Sequence, residues 1–180
     1  MLFCTKEVTA MKQETTILAE TCALLSRQRL PRWRELPDLD LYMDQILSLV
    51  GRYLGDYPGF DGKGLTASMV NNYVKQQVMP APVKKKYTKT HLAYLLVSCL
   101  LKPVLPIPAI RQLLSDAVAA QSAEAFYDDF CQQFEDHCLA AAESSAAGAE
   151  SREDALCRAA LRAQAEQALA LRLAASAAEE

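Results

Sequence analysis

Residues 65–114 read LTASMVNNYVKQQVMPAPVKKKYTKTHLAYLLVSCLLKPVLPIPAIRQLL, and this stretch decides the fold. Its fifty residues include seven lysines or arginines and no aspartate or glutamate. The flanks differ, because residues 1–64 carry eight basic and nine acidic groups and residues 115–180 carry four basic and thirteen acidic. A positive patch attracts phosphate whatever the net charge of the whole chain, which is −3 here. The basic block therefore predicts a local anionic partner.

The first part of the block predicts a helix from Thr66 to about Met79, because the Thr66 hydroxyl can accept from a free first-turn N–H. One face of this helix is apolar and includes Val70 and Tyr73, the predicted structural anchors. The opposite stripe is polar and predicts contacts in a DNA major groove: Ser68, Asn71, Asn72 and Lys75. The alternative is an ordinary amphipathic surface helix, since this pattern is the default for globular helices.

A short basic link follows the helix. The sequence Pro80-Ala81-Pro82 ends the helix, because proline lacks the N–H and disfavours helix in the residue before it. Residues 83–87 are predicted to be extended within a short basic wing over 82–89, and Val83 and Tyr87 are predicted to be able to point inward. The lysines of this link are predicted to contact DNA phosphates: Lys84, Lys85, Lys86 and Lys89.

The rest of the block predicts a buried helix and its neighbour. Thr88 is placed to cap a helix over about 89–102 that contains Leu92 and is apolar nearly all round, which is typical of a central helix. It is too short to span a membrane. A third helix, starting at Pro106, points Ile110 and Leu114 inward.

The flanking segments are also predicted to be helical. Asp38 is placed to cap a helix that ends near Leu54, before Gly55. Residues 1–28 predict a helix with a near-heptad apolar face, and residues 122–143 and 151–176 predict two alanine-rich, acidic helices. The arginines around Pro31 (Arg27, Arg29, Arg32 and Arg34) either extend the basic surface or form a solvated charge run.

The sequence contains no recognisable catalytic motif. It has no C-x-x-C pair, Gly-rich phosphate loop, G-x-S-x-G or H-E-x-x-H, so we expect no enzyme activity, no metal and no cofactor. Cys131, His137 and Cys138 share a helix, but buried cysteines acting as small hydrophobes are the favoured interpretation. His91 either contacts a phosphate or only occupies a first turn. Acidic residues interrupt the N-terminal apolar positions, which argues against a signal peptide and predicts a cytoplasmic location.

The order of these segments resembles the winged-helix domain of the MerR regulators. Tyr73 corresponds to a core tyrosine of the recognition helix, Tyr87-Thr88 to the exit from the wing, and Ile110-Arg111-x-x-Leu114 to the following helix. Over about residues 30–120 the chain is also similar to a bacterial family called domain of unknown function eighteen-thirty-six. Three stretches carry this similarity: LPDLDLYMDQ at 36–45, SMVNNYVK at 68–75, and PVKKKY at 82–87 followed by His91-Leu92-Ala93. The link at 79–87 lacks the glycine-containing hairpin tip of MerR-type wings.

These observations predict an all-α protein with a MerR-like winged helix-turn-helix core. The predicted divisions are an N-terminal helix (1–29), the winged-helix domain (30–120) and a C-terminal helical extension (121–180). The predicted function is that of a DNA-binding transcriptional regulator, active as a homodimer, with double-stranded DNA as partner and an unknown effector. The alternative is a helical protein–protein interaction module that keeps the MerR-like core without binding DNA.

Overall fold

The computed structural model describes residues 16–58, 60, 64–146 and 151–176. Every regular element within these residues is a helix, and strand-like pairing there is restricted to two isolated antiparallel bridges, Leu41 with Tyr87 and Val83 with Lys86. The prediction of an all-α fold is confirmed. None of the described helices is long and apolar enough to cross a membrane.

Seven α-helices and one short 3-10 helix make up the described chain. The first, α1, comprises residues 16–25, and Met11 of the predicted near-heptad face lies outside the described residues. The other elements are the 3-10 helix Trp33–Glu35, α2 (Met43–Leu54), α3 (Ala67–Lys75), α4 (Lys89–Leu101), α5 (Ile107–Ala120), α6 (Ala123–Ala146) and α7 (Arg152–Ser176).

Helix α4 is the centre of the fold, as its pattern predicts. Leu92, Leu95 and Leu96 have no exposed surface, and helices α2, α5 and α6 pack around them. Burying one such side chain stabilises the folded state by about 1.5–3 kcal/mol. Helix α6 adds Tyr127 and Cys131 to the same core. The elements on either side of α4 are therefore held by one shared apolar interior.

Helix α2 begins later than the sequence predicts. Asp38 is not its cap, because the chain stays extended through Leu41 and Tyr42 takes the N-cap position. The backbone N–H of Leu41 donates to the Tyr87 carbonyl at 2.8 Å, which holds that residue in a bridge rather than in a helix. The side chain of Gln45 then accepts from the Tyr42 N–H at 2.8 Å. The predicted end is confirmed, since α2 stops at Leu54 with Gly55 next.

The segment around Pro31 docks on α6 through its polar groups. The Arg32 guanidinium donates to both carboxylate oxygens of Glu135, at 2.9 and 2.7 Å, and the Trp33 N–H donates to Asp128 Oδ1 at 2.6 Å. Arg29 pairs with Glu35 at 2.9 Å. The prediction that the arginine cluster is either basic surface or a solvated charge run is therefore wrong for Arg32, because Arg32 forms an ion pair with Glu135 on α6.

Helix α7 is the least covered element. Ser151, the first residue of the predicted helix, caps its first turn, with the Asp154 N–H donating to Ser151 Oγ at 3.1 Å. It contacts α5, but Ala155 is its one buried residue. Five of its leucines are exposed: Leu156, Leu161, Leu169, Leu171 and Leu173. Most of its apolar surface therefore lacks a partner within the described part of the chain.

Candidate nucleic-acid interface

Helix α3 carries two faces of different character. Thr66 caps it as predicted, with the Met69 N–H donating to Thr66 Oγ1 at 3.2 Å. Val70 and Tyr73 point into the core and are 0% and 2% exposed. All four residues of the predicted reading stripe are exposed: Ser68, Asn71, Asn72 and Lys75. The stripe therefore offers amide, hydroxyl and ammonium groups without a single carboxylate.

The predicted end of α3 near Met79 is wrong, because the helix stops at Lys75. Gln77 adopts the left-handed conformation, with φ of 58°. The Gln77 N–H donates to the Val74 carbonyl at 3.0 Å and the Val78 N–H to the Tyr73 carbonyl at 2.9 Å, which is the hydrogen-bond pattern of a Schellman cap. Val78 is buried beside α3 in the core, and this contact accompanies the early stop. Glycine is the usual residue at such a cap, so the glutamine at position 77 did not predict one.

The basic link forms a tight two-residue turn. Lys84 and Lys85 have φ of 52° and 63°, and the Lys86 N–H donates to the Val83 carbonyl at 2.9 Å. Positive φ at both central positions is the requirement of a type I′ turn, which normally selects Asn-Gly. The prediction that Val83 points inward is wrong: the turn leaves this side chain 74% exposed. We call residues 83–86 the lysine turn.

The lysine turn is fixed to the core at Tyr87. This side chain is buried, and its backbone pairs with Leu41 through two hydrogen bonds of 2.8 Å. Its ring also meets the His91 ring edge-on, with centroids 5.5 Å apart. The tip of the turn is therefore exposed while its base is anchored at the start of α4.

His91 has a structural position that excludes the phosphate interpretation. The side chain is buried, and Nδ1 accepts from the Thr88 N–H at 3.0 Å. Burial lowers the pKa of His91, and the nearby Pro80 carbonyl opposes that shift only in part. The imidazole therefore acts as a neutral cap for the first turn of α4.

The four lysines of the link do not share one environment. Lys84 and Lys85 are exposed and form no ion pair with any described residue. Lys86 pairs with Asp40 at 3.5 Å, and the Lys89 ammonium lies 5.3 Å from the centroid of the Trp33 ring. Lys86 and Lys89 are thus partly engaged by the segment before α2, whereas Lys84 and Lys85 are available to a partner.

The residues predicted to form the core of the motif lie together in the interior. All six are buried in one hydrophobic cluster: Val70, Tyr73, Tyr87, Leu92, Ile110 and Leu114. Two features of this region were not predicted from the sequence. The lysine turn has no glycine or asparagine to signal it. A half-open pocket of about 330 Å³ beside α3 is lined by residues far apart in the chain, from Phe60 to Pro103.

The cysteines offer no metal centre in the described part of the chain. No group of three or more His, Cys, Asp or Glu side chains is close enough there to hold a metal ion. Cys131 is buried, its thiol lies 3.8 Å from the Pro31 carbonyl, and burial raises its pKa to about 11. His137, on the same helix, is exposed. Cys131 therefore acts as a packing residue.

The architecture defines an all-helical domain with a central apolar helix and an exposed, acid-free helix and turn beside it. The family model described as Domain of unknown function (DUF1836) matches residues 31–130. Since this match spans more than half of the chain, the protein belongs to that family. No curated protein and no solved structure matches the chain.

Proposed function

We propose that the protein binds double-stranded DNA and regulates transcription. In this proposal α2 and α3 act as a helix-turn-helix and the lysine turn acts as a short wing, as in the MerR-type arrangement. The conformation of Lys84 and Lys85 carries the proposal. A left-handed conformation costs a non-glycine residue about 1–2 kcal/mol, and such strain persists mainly at functional positions. Two adjacent lysines held this way present two free cations on an anchored support.

The chemistry of α3 supports the same partner. Asn71 and Asn72 carry amides that can bond bidentately to adenine in the major groove. Lys75 follows one turn after Asn71 and adds a cation for phosphate. Base contacts specify a sequence, whereas phosphate contacts set position and orientation. We therefore assign sequence reading to α3 and backbone attachment to the lysine turn.

The structure suggests unequal roles for the four lysines of the link. Lys86 forms an ion pair with Asp40 and the Lys89 ammonium lies over the Trp33 ring, so both are partly engaged by the segment before α2. A partly exposed ion pair contributes little to stability, about 0–1 kcal/mol, but it does restrict the side chain. In the proposal Lys84 and Lys85 make the main phosphate contacts, and Lys86 and Lys89 make lesser ones.

The decisive experiment is the salt dependence of binding to mixed-sequence duplex DNA. Each phosphate neutralised contributes about −0.9 to the slope of log K against log[salt]. The double variant Lys84→Gln/Lys85→Gln should therefore flatten the slope by about two units and weaken binding to all sequences alike. A matched control removes two arginines of the acidic C-terminal half, Arg162→Gln/Arg172→Gln, and should leave the slope unchanged. An unaltered slope in the lysine variant would exclude the turn from the interface.

A two-fold dimer is part of the proposal. One recognition helix reads few base pairs, whereas a dimer reaches half-sites one helical turn apart. Helix α7 offers the larger unpartnered apolar surface, with Leu156, Leu161, Leu169 and Leu173 each more than 60% exposed. The alternative interface is α1, whose Leu18, Cys22 and Leu25 are half-buried.

The second candidate function is a protein–protein interaction module without DNA binding. The five exposed leucines of α7 favour it, because no described residue of the chain covers them and a partner could. The salt experiment separates the two functions, since a module of this kind would show no affinity for duplex DNA at low salt.

A further inference from the structure

Val83 is the most exposed large apolar side chain among the described residues, at 74%. Single exposed apolar residues are common on protein surfaces, so exposure alone does not mark a site. Its position does, because Val83 directly precedes Lys84 and Lys85. These two lysines are exposed and form no ion pair with any described residue. The tip of the lysine turn therefore combines one bare apolar side chain with two free cations.

The backbone fixes the place of Val83. Its carbonyl accepts from the Lys86 N–H at 2.9 Å, and the two residues form an antiparallel bridge. Residues directly opposite in such a pair project from the same face, so Val83 lies on the side of Lys86. Tyr87 is next along the chain and is buried. The valine is thus held on an ordered support, and little conformational entropy is lost when it makes a contact.

The free lysines and the shape of the turn favour one groove of DNA. Phosphates border both grooves, and cations that pair with them bring the neighbouring side chain to the base edges. The major groove is about 12 Å wide and admits a two-stranded β-ribbon, whereas the minor groove is about 6 Å wide. The paired segments of such a ribbon are already about 4.7–4.9 Å apart before side chains are added. The lysine turn therefore fits the major groove.

The chemistry of valine selects its partner within that groove. The base edges there present hydrogen-bond donors, acceptors and the C5-methyl group of thymine. Valine can replace the water of a methyl group favourably, but against a donor or acceptor it removes water and returns no hydrogen bond. We propose that Val83 is a specificity-determining residue that contacts thymine methyl groups at the edge of the major groove, while Lys84 and Lys85 contact the flanking phosphates. This contact rests on the proposed DNA binding and adds a base preference to a turn whose lysines alone fit any sequence.

The test compares three duplexes of the same mixed sequence: one with thymine, one with uracil in its place, and one with thymine and with 5-methylcytosine in place of cytosine. All three carry the same phosphates, so the contribution of the lysines cancels at constant salt. The uracil duplex should bind about fourfold more weakly, the equivalent of about 0.8 kcal/mol for one buried methyl group. The 5-methylcytosine duplex should bind more tightly, because it adds methyl groups to the same groove. Fluorescence anisotropy measures all three affinities.

Three variants assign the preference to Val83. Val83→Ser removes the apolar contact without disturbing the core, and should abolish the difference between the thymine and uracil duplexes. Val83→Ile keeps an apolar, β-branched side chain and should retain that difference. The matched control is Val104→Ser, at a valine that is 39% exposed in the turn after α4, and it should leave the difference at about fourfold.

The outcomes separate this contact from DNA binding itself. Equal affinity of the unaltered protein for the thymine and uracil duplexes would overturn the contact and leave DNA binding in place. A preference for thymine that survives Val83→Ser, or that Val104→Ser abolishes equally, would do the same. Absence of affinity for every duplex at low salt would overturn DNA binding, and the contact with it.

Discussion

Leu41 and Tyr87 hydrogen-bond to each other twice, each N–H donating to the other's carbonyl at 2.8 Å. The two residues are 46 positions apart in the sequence, and each lies just before a helix, α2 in one case and α4 in the other. Their bridge ties the segment before α2 to the segment before α4. It also anchors the base of the lysine turn, so the turn is an ordered feature rather than a loose loop.

Replacing the turn residues should separate stability from binding. Asn-Gly is the preferred pair for a type I′ turn, so Lys84→Asn/Lys85→Gly should relieve the left-handed strain at both positions. We expect the free energy of unfolding, measured by urea denaturation, to rise by about 1–2 kcal/mol. A loss of stability would show that the two lysines make stabilising contacts in the folded protein.

The reading role of α3 is tested with alanine at its amides. Asn71→Ala or Asn72→Ala should reduce affinity for a selected site by about 1–3 kcal/mol and change binding to random DNA little, as expected for a lost bidentate base contact. The site is obtained by selection from a random duplex library. Equal losses on selected and random DNA would contradict sequence reading by this stripe.

Two substitutions at Tyr73 should have opposite effects on stability. Tyr73→Ala removes a fully buried aromatic side chain and should lower the free energy of unfolding by about 3–5 kcal/mol. Tyr73→Phe removes only the unpaired hydroxyl and should raise it by about 1 kcal/mol, because a buried donor without a partner is removed. Thermal and urea unfolding measure both. A stability loss on Tyr73→Phe would reveal a partner for the hydroxyl.

Acidification should destabilise the fold through His91. Burial lowers the pKa of His91 in the folded protein below its ordinary value of 6.5. The unfolded chain then binds more protons near that pH, so the stabilising effect is complete above about pH 6.5 and is lost as the pH falls through the lowered pKa.

His91→Gln should flatten this pH dependence below about pH 6.5. Glutamine at this position creates the capping box Thr88-x-x-Gln, so the variant keeps an acceptor for the Thr88 N–H. His137→Gln is the matched control, because it removes an exposed imidazole from α6. A slope that stays the same in His91→Gln would assign the effect to other groups.

The dimer is tested by light scattering on the full chain and on a chain that ends at Gly148. Removing α7 should convert a dimer to a monomer, because the exposed leucines of α7 leave with it. A dimer that survives truncation would move the interface to α1. A full-length chain that is monomeric at tens of micromolar would rule out the dimer.

Hydrophobic patterning alone was enough to predict the helical core. A helix that is apolar on every side must be central, and the prediction for α4 matched within one residue at its C-terminal end. Helices α5, α6 and α7 also begin directly after Pro106, Ser122 and Ser151, the first residues of the predicted helices. These starts depend on local chemistry, which a linear sequence contains in full.

The tertiary structure decided the features on which the proposed functions rest. The start of α2 moved to Met43 because Leu41 pairs with Tyr87, and α3 ended early because Val78 is buried in the core. Arg32 does not add to an exposed basic surface, because it forms an ion pair with Glu135 on α6. Each of these outcomes depends on a partner distant in the chain or on a left-handed residue other than glycine. The sequence by itself therefore determined the apolar helical core and which charges are present, whereas only the packed structure decided which of those charges remain free.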